Sequence, residues 1–300
     1  MGGFEGGDES GYWDVDSLPT PIYGKKKKSS HNKTTYIQTD DSIYTIKAHA
    51  KIDIFLKITG CENERFTRHS RCVRLEDVYD TISFVPSECE SFTVEGCDTI
   101  PLESNSIYKA YKLLSDSPAG LDIVDFFCEH KVVVNKGIAS SSGLGKSASN
   151  AAAFIRLAKE VCNLVLSTEE LVRITSSISA DIAFFIYNYP SANISGFGEV
   201  IEPFEEEGLF FELYSLNKKY DKDAVASILK EQLLINNTPS LFSDWNELDS
   251  KSILELELDP TRLNDFYWAS LHIYPELKKE HVQGSFFSGN SFFNLINKDI

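Results

Sequence analysis

The sequence predicts an α+β protein of two lobes, and three observations support this fold class. Apolar residues alternate at 44–48 and again at 52–58, which indicates strands. Apolar residues recur at three- and four-residue steps at 107–114 and 151–165, which indicates helices. An acidic run at 205–207 separates these elements from a second set of mixed patterns. Mixed elements on both sides of such a break predict two packed lobes.

The chain divides into three predicted parts. Residues 1–41 are rich in Gly, Asp, Ser and Lys and lack apolar periodicity, so we expect a flexible tail there. Residues 42–204 are expected to form the N-terminal lobe, and residues 205–300 the C-terminal lobe. A Ser-Thr-Glu-Glu capping box at 167–170 predicts a helix start inside the first lobe. A Gly/Ser turn is expected late in the second lobe, at 284–291.

The composition argues against nucleic acid and membrane partners. Lys and Arg number 29 against 45 Asp and Glu, and the resulting net charge of −16 repels phosphate backbones and anionic lipids. No apolar stretch is long enough to span a bilayer, and none near the N-terminus predicts a secretory signal. The six cysteines form no Cys-x-x-Cys pair, so we expect reduced thiols rather than a zinc site or disulfides. These features predict a cytoplasmic enzyme.

A glycine- and serine-rich segment at 140–149 is the strongest functional signal. It lies between a β-branched stretch at 131–135 and a helical pattern. Such a loop can hold phosphate, because its backbone N–H groups turn inward and the helix N-terminus adds a positive dipole end. The pattern differs from the P-loop, since Ser140 stands where that motif needs Gly, and no dinucleotide fingerprint is present. A nucleotide-using enzyme is the leading hypothesis, and a turn that binds nothing is the alternative.

Four segments, in the right order, resemble motifs of the GHMP small-molecule kinases. Residues 50–56 resemble the first motif, 142–152 the phosphate loop with its helix, 180–185 the segment with the catalytic aspartate, and 191–199 the strand and turn that follow. Asp-x-x-Phe-Phe followed by Gly-x-Gly-Glu is most similar to the 4-diphosphocytidyl-2-C-methyl-D-erythritol kinase family. The helix at 105–110 resembles the Asn-x-x-x-Lys-Ala helix of the same family.

This resemblance implies a fold and an activity. The fold is the two-lobed GHMP kinase fold, with an N-terminal lobe like ribosomal protein S5 domain 2 and a ferredoxin-like C-terminal lobe. The activity is ATP-dependent, Mg²⁺-assisted phosphorylation of a small-molecule hydroxyl, with 4-diphosphocytidyl-2-C-methyl-D-erythritol of non-mevalonate isoprenoid synthesis as the leading substrate. Homoserine, mevalonate or a sugar is an alternative substrate, and a nucleotide-binding protein without catalysis is a further alternative. The chain is expected to be a monomer or a homodimer.

The resemblance also assigns residues. Asp181 accepts the proton of the substrate hydroxyl, and Lys51 lies beside it. The nucleotide is assigned to Ser141, Ser142, Gly143, Leu144, Gly145, Lys146, Ser147, Ala148, Ser149, Asn105 and Lys109. The substrate is assigned to Asp53, His69, Ser288 and Gly289. The metal ion is assigned to Ser147, with Ser149 as the alternative.

Three assignments have purely structural alternatives. Lys51 and Asp53 could form an ordinary charge pair on a strand face. Asp181 could cap the helix that follows it. Lys146 could be solvated, although we expect its ammonium to face the phosphates.

The chain departs from the family pattern at several positions. Asp53 replaces the usual Asn, and an ionised carboxylate cannot donate a hydrogen bond. Lys146 and Ser147 replace two loop glycines, and Phe66 aligns with the usual substrate-binding His. The C-terminal Gly-Ser-Gly-Ser turn is reduced at 288–292. These departures affect the expected substrate and turnover, not the expected fold.

Overall fold

The chain mixes strands and helices throughout the part that the structure describes. The structure is a computed structural model that describes residues 35–39, 42–97, 99–216, 221–235, 244–256, 259–280 and 284–296. The strands are β1 (Ile37–Gln38), β2 (Tyr44–Glu62), β3 (Arg65–Pro86), β4 (Val94–Glu95), β5 (His130–Asn135), β6 (Ser191–Ser195), β7 (Val200–Pro203), β8 (Phe210–Ser215), β9 (Phe286–Ser288) and β10 (Ser291–Ile296). The helices are α1 (Ser106–Ser115), α2 (Gly120–Cys128), α3 (Lys146–Val161), α4 (Thr168–Thr175), α5 (Ile182–Tyr187), α6 (Lys222–Ile235), α7 (Ser250–Leu256), α8 (Pro260–Leu263), α9 (Asp265–Ile273) and α10 (Leu277–Glu280).

A long antiparallel pair, β2 and β3, organises the first sheet. The described strands β1, β2, β3, β5 and β4 lie side by side in that order, and β6 pairs with both β3 and β7. The strands predicted at 44–48 and 52–58 are one strand, β2, whose pairing with β3 shifts register between His49 and Lys51 and twice more further along. Such bulges change which face an apolar side chain occupies without ending the strand. The apolar alternation in the sequence is therefore interrupted between 48 and 52, although strand β2 continues through these residues.

Helix α3 packs across β2, with α1 and α5 on either side of it. Its buried face contains small side chains that let the helix approach the sheet closely, at Ala148, Ala151, Ala152, Ala153 and Ala158. The predicted capping box is present: the Ser167 hydroxyl accepts from the Glu170 N–H, and the Glu170 carboxylate accepts from the Ser167 N–H. No helix in the described ranges is long and apolar enough to cross a membrane.

A second, antiparallel sheet of order β8-β10-β9 forms from the C-terminal part of the chain. Phe286 and Phe293 of this sheet pack in one apolar cluster with Ile52 and Ile54 of β2. The two sheets thus share a core along β2. The division at 204/205 into two lobes stays a prediction as far as its exact boundary is concerned.

Of the predicted tail, only residues 35–39 lie within the described ranges. Residues 1–34 and 40–41 lie outside the described residues. Residues 35–39 depart from the prediction, because Ile37 pairs with Thr45 and Gln38 with Tyr44. Ile37 is 65% exposed, so backbone pairing with the edge of β2, rather than apolar burial, holds this strand. Hydropathy does not report such pairing.

Candidate active site

The glycine- and serine-rich segment forms a tight turn between β5 and α3. Ser141, Gly143 and Gly145 all have positive φ angles, of 62°, 72° and 77°. Glycine suits this left-handed region because it has no Cβ. The carbonyl of Leu144 accepts a hydrogen bond from the Lys51 N–H at 3.0 Å. The loop is therefore fixed to β2, and α3 starts directly behind it.

The turn between β9 and β10 closes against this loop. The Asn290 N–H donates to the Ser142 carbonyl at 2.9 Å, and its side-chain amide donates to the Ser141 carbonyl at 2.8 Å. A Cβ on Gly143 would lie 2.3 Å from the Asn290 nitrogen, and one on Gly289 would lie 2.1 Å from the Gly143 carbonyl oxygen. Both glycines are needed for this close approach. Although the turn departs from the family sequence, it contacts the loop directly.

A buried ionic cluster lies beside the loop. The Lys51 ammonium donates to both carboxylate oxygens of Asp53 at 2.8 Å and lies 3.5 Å from Oδ1 of Asp181. Nη1 of Arg68 lies 2.9 Å from the same Asp181 oxygen, and Nη2 donates to the Ala180 carbonyl at 3.1 Å. Strands β2 and β3 supply the two cations, and the start of α5 supplies Asp181. None of the sequence motifs includes Arg68.

The cluster holds Asp181 in its ionised form. Burial would raise the pKa of this carboxyl, but the charges of Lys51 and Arg68 outweigh it and hold the pKa well below its ordinary value. Burial likewise works against the Lys51 ammonium, but the charges of Asp181 and Asp53 raise its pKa overall. Burial, together with the charge of Asp53, raises the pKa of the Cys72 thiol, which donates to Asp53 Oδ1 at 2.9 Å. The cluster therefore contains two cations (Lys51 and Arg68), two carboxylates (Asp53 and Asp181) and the neutral thiol of Cys72.

The structure bears on two of the structural alternatives, the helix cap by Asp181 and the charge pair of Lys51 with Asp53. Asp181 occupies the position before α5, but its side chain makes no capping hydrogen bond. Its carboxylate instead contacts Lys51 and Arg68. Lys51 and Asp53 do form a charge pair on the face of β2, but each is only 3% exposed, so the pair is buried within the cluster.

One cleft, of about 570 Å³, borders both the loop and the ionic cluster. Its wall is shared by β2, β3, the loop, the start of α5 and the C-terminal part, with lining residues that include Lys51, Asp53, Arg68, Ser141, Gly143, Asp181, Val225, Asn264, Phe266, Ser270, Gly289 and Asn290. Phe266 packs edge-on against Phe66 with ring centroids 6.4 Å apart. The cleft thus combines a polar, charged end with an apolar, aromatic end that no sequence motif indicated.

Lys146 does not face this cleft, so the expectation that its ammonium points to the phosphates is wrong. Its Nζ donates to the Ile138 carbonyl at 2.6 Å and lies 3.5 Å from Oδ2 of Asp80. Asp80 is fully buried and also accepts from the N–H groups of Gly137 and Ile138. A buried carboxylate needs such partners, and Lys146 is the cation within reach. The solvated alternative is also wrong, because the side chain braces the stem of the loop.

Of the other nucleotide-assigned residues, Asn105, Ser147 and Ser149 lie around the start of α3, whereas Lys109 does not. Asn105 caps α1 by accepting from the Ile107 N–H, and the Ser106 hydroxyl donates to the Ser147 carbonyl at 2.7 Å. Lys109 lines a separate cleft of about 290 Å³ along α1. The Ser149 hydroxyl donates to the His49 carbonyl at 2.6 Å and the residue is buried. Ser147 is exposed at the first turn of α3.

The substrate-assigned residues divide into two groups. Asp53 and Gly289 line the cleft. The Ser288 hydroxyl accepts from the Asp53 N–H at 2.8 Å and is fully buried, so it lies behind the cluster. His69 does not line the cleft, contrary to expectation, because side chains alternate along β3 and Arg68 occupies the cleft face. Its ring lies next to the Asn246 amide.

The described residues offer little to hold a metal ion by themselves. No three His, Cys, Asp or Glu side chains in the described ranges group as a metal site. The carboxylates beside the loop have cationic partners already: Asp80 pairs with Lys146, Asp53 with Lys51 and Asp181 with Arg68. This donor set fits a magnesium ion that arrives on nucleotide phosphates, with an exposed hydroxyl such as that of Ser147 nearby.

Comparisons with known proteins fit this geometry. Residues 105–189 match the family described as the GHMP kinases N terminal domain. A 4-diphosphocytidyl-2-C-methyl-D-erythritol kinase of Sulfurovum sp. (strain NBC37-1) is 47% identical over 255 residues, which cover 84% of this chain and 99% of the relative. The chain belongs to this family of GHMP kinases. A kinase of the same name from Sulfurimonas denitrificans is 36% identical over 259 residues, which cover 84% of this chain and 97% of the relative.

Solved structures confirm the fold of this GHMP kinase. A crystal structure of 4-(cytidine 5'-diphospho)-2C-methyl-D-erythritol kinase has a TM-score of 0.62 at 18% identity and covers 84% of this chain and 90% of its own. The mevalonate kinase of Methanococcus jannaschii has a TM-score of 0.54 at 14% identity, and the match covers 87% of this chain and 93% of the mevalonate kinase. At these identities the likeness concerns the fold, and it confirms the predicted two-lobed α+β architecture.

Proposed function

We propose that the chain transfers the γ-phosphate of ATP to a hydroxyl of 4-diphosphocytidyl-2-C-methyl-D-erythritol, in isoprenoid precursor synthesis. One observation carries the proposal: a single cleft is lined by the glycine loop and by an aspartate that two cations keep ionised. The names of the relatives give the substrate. A kinase needs this juxtaposition of a phosphate cradle and a proton acceptor.

The loop would hold the phosphates. Gly143 and Gly145 place backbone without a Cβ next to the N-terminus of α3. Backbone N–H groups and the helix dipole attract negative charge there, although the chain as a whole carries −16. Phosphoryl transfer requires mainly this kind of positioning and charge stabilisation.

Asp181 would accept the proton of the substrate hydroxyl as that oxygen attacks the γ-phosphate. Its carboxylate is ionised, partly exposed at 24%, and faces the cleft. General-base assistance of this kind contributes about 10²–10⁴ in rate. Lys51 and Arg68 hold the carboxylate in place. When bound on the nucleotide, Mg²⁺ would offset part of the phosphate charge, and Ser147 is the residue we propose near it.

The aromatic end of the cleft would receive the rest of the substrate. Phe266 offers a ring face of the kind that stacks on a nucleobase, and Val225 adds apolar surface beside it. Homoserine and mevalonate have no ring that would use this end. The geometry therefore favours a substrate with a cytidine group over those smaller alcohols.

An ADP-release assay tests the proposal. Purified protein is given ATP and Mg²⁺ with the cytidyl-erythritol substrate, homoserine, mevalonate or a hexose in separate reactions. We expect ADP formation with the cytidyl substrate at a rate far above the other alcohols. Faster turnover of another alcohol would assign a different substrate, and ATP binding without turnover of any alcohol would favour the non-catalytic alternative.

We further propose that the enzyme acts in the cytoplasm. All six cysteines are free thiols, as expected for a protein of a reducing compartment. The state of monomer or homodimer stays a prediction.

Lys146 gives a prediction about the stem of the loop. Lys146→Ala should lower the free energy of unfolding by about 1–2 kcal/mol, because the buried Asp80 loses a charged partner. Any rise in the KM for ATP should then depend only weakly on salt, since the ammonium does not touch the phosphates. Urea denaturation and ATP titrations at two salt concentrations measure both effects.

A matched control for this variant is Lys131→Ala, which removes a more exposed pair with Glu95. A surface pair contributes about 0–1 kcal/mol, so this control should change stability less. A strongly salt-dependent rise in the KM for ATP with unchanged stability in Lys146→Ala would contradict the bracing role.

A further inference from the structure

Within the cluster, Lys51 pairs mainly with Asp53, and Asp181 is closer to Arg68 than to Lys51. The Lys51 ammonium is 2.8 Å from both oxygens of Asp53 but 3.5 Å from Asp181. The Arg68 guanidinium, at 2.9 Å, is the nearer cation to Asp181. Asp53 therefore places a carboxylate beside Lys51, where an asparagine would leave the ammonium without an anionic partner on β2.

Resting on the proposed kinase function, we infer that Arg68 is a positioning residue for Asp181 whose importance depends on Asp53. Asp53 draws Lys51 towards itself with two charge-assisted hydrogen bonds. Arg68 then supplies the second positive charge and the close contact that orient the carboxylate of Asp181.

The surroundings of Arg68 fit such a role. Its guanidinium is fixed by the Ala180 carbonyl, and its backbone N–H donates to the Gly196 carbonyl at 2.8 Å. A Cβ at Gly198 would lie 3.0 Å from Nη2 of Arg68, so glycine leaves the room that the guanidinium occupies. A planar guanidinium held by the Ala180 carbonyl through Nη2 can orient a carboxylate at Nη1 better than a flexible ammonium can.

Charge balance gives the second argument. The charged and titratable groups around Asp181 are Lys51 and Asp53 from β2, and Arg68 and Cys72 from β3. With the thiol neutral, two positive and two negative charges cancel. Loss of Arg68 alone would leave a net negative charge where the triphosphate of ATP must bind. If Asp53 is also neutral, the balance returns and Lys51 is free to pair with Asp181.

Four proteins test the inference: wild type, Arg68→Met, Asp53→Asn and the double variant. Arg68→Met should lower kcat by about 10²-fold, within the range of general-base assistance. In the Asp53→Asn background, replacing Arg68 with Met should lower kcat by only about 10-fold. This difference from the loss in the wild type is a coupling typical of contacting charges. The double variant should therefore lose less activity relative to Asp53→Asn than Arg68→Met loses relative to the wild type.

Two further readouts separate positioning from a merely structural role. The acid limb of the kcat–pH profile should move to higher pH in Arg68→Met, because Asp181 loses a nearby positive charge, and should move back in the double variant.

Arg68→Lys, which keeps the charge, should retain more activity than Arg68→Met, and it replaces Arg68→Met in the test if that variant fails to fold. Arg74→Met is the matched control, since Arg74 lies on the same strand, pairs with Glu76 and does not line the cleft.

An equal loss of kcat on removing Arg68 in both backgrounds would overturn the inference, as would an acid limb that stays in place. A double-mutant cycle on the free energy of unfolding measures the same coupling without any activity. If no alcohol is phosphorylated by the wild type, the proposed function fails, while the unfolding cycle still decides whether Arg68 and Asp53 are coupled.

Discussion

Asp181→Asn is expected to lower kcat by about 10² or more while the protein still folds and binds ATP. Asparagine has nearly the same shape and keeps an oxygen facing Lys51 and Arg68, but it cannot accept a proton as an ionised carboxylate does. The loop is built from other residues, so ATP affinity should change little. Steady-state kinetics and a calorimetric ATP titration on the purified variant measure the two quantities.

A matched control for this variant is Asp249→Asn. Asp249 binds Ser252 at the start of α7 and does not line the cleft, and asparagine suits such a position about as well as aspartate. Turnover of this control should equal that of the wild type. If Asp181→Asn also turned over near the wild-type rate, the carboxylate would not be the proton acceptor.

Gly143→Ala should reduce kcat/KM for ATP by about 10²-fold, because a displacement of about 1 Å in a positioning element can have an effect of that size. The added Cβ would lie 2.3 Å from the Asn290 nitrogen and 2.6 Å from Cα of Gly289. These are backbone atoms, so no side chain can swing aside. Either the phosphate loop or the turn between β9 and β10 must move.

Two other glycines separate the steric effect from backbone strain. Gly284 also has a positive φ, of 81°, but no atom lies within 4 Å of its would-be Cβ. Gly208 has open space and no such φ. Gly284→Ala should lose some stability and keep its KM for ATP, and Gly208→Ala should resemble the wild type. A normal KM for ATP and a normal kcat in Gly143→Ala would show that the interlocked turn is not part of the nucleotide site.

The local elements of the site could be predicted because short-range chemistry determines them. Small residues at 140–149 with a strand before and a helix after are sufficient to indicate the loop. The capping box at 167–170 depends on side chains three residues apart, and it is present as predicted. Lys51 and Asp181 were found through motif resemblance, and the structure places them 3.5 Å apart.

The errors concern contacts between residues distant in sequence. Lys146 was expected at the phosphates, but its partner Asp80 is 66 positions away on β3 and no pattern marks it as buried. Arg68 was missed because a charged residue on a strand usually faces solvent, and only the fold brings it to Asp181. The resemblance assigns His69 to the substrate, yet the alternation of β3 puts its side chain on the face opposite to that of Arg68.

Transfer of the labelled γ-phosphate of ATP tests the kinase assignment most directly. The wild type and Asp181→Asn are incubated with labelled ATP, Mg²⁺ and 4-diphosphocytidyl-2-C-methyl-D-erythritol, and the label is followed by chromatography. We predict that the wild type moves the label into one phosphomonoester of the substrate, in equal amount to the ADP formed, and that the variant does so at most about a hundredth as fast. Label that stays in ATP, or that appears only as inorganic phosphate, would contradict the assignment.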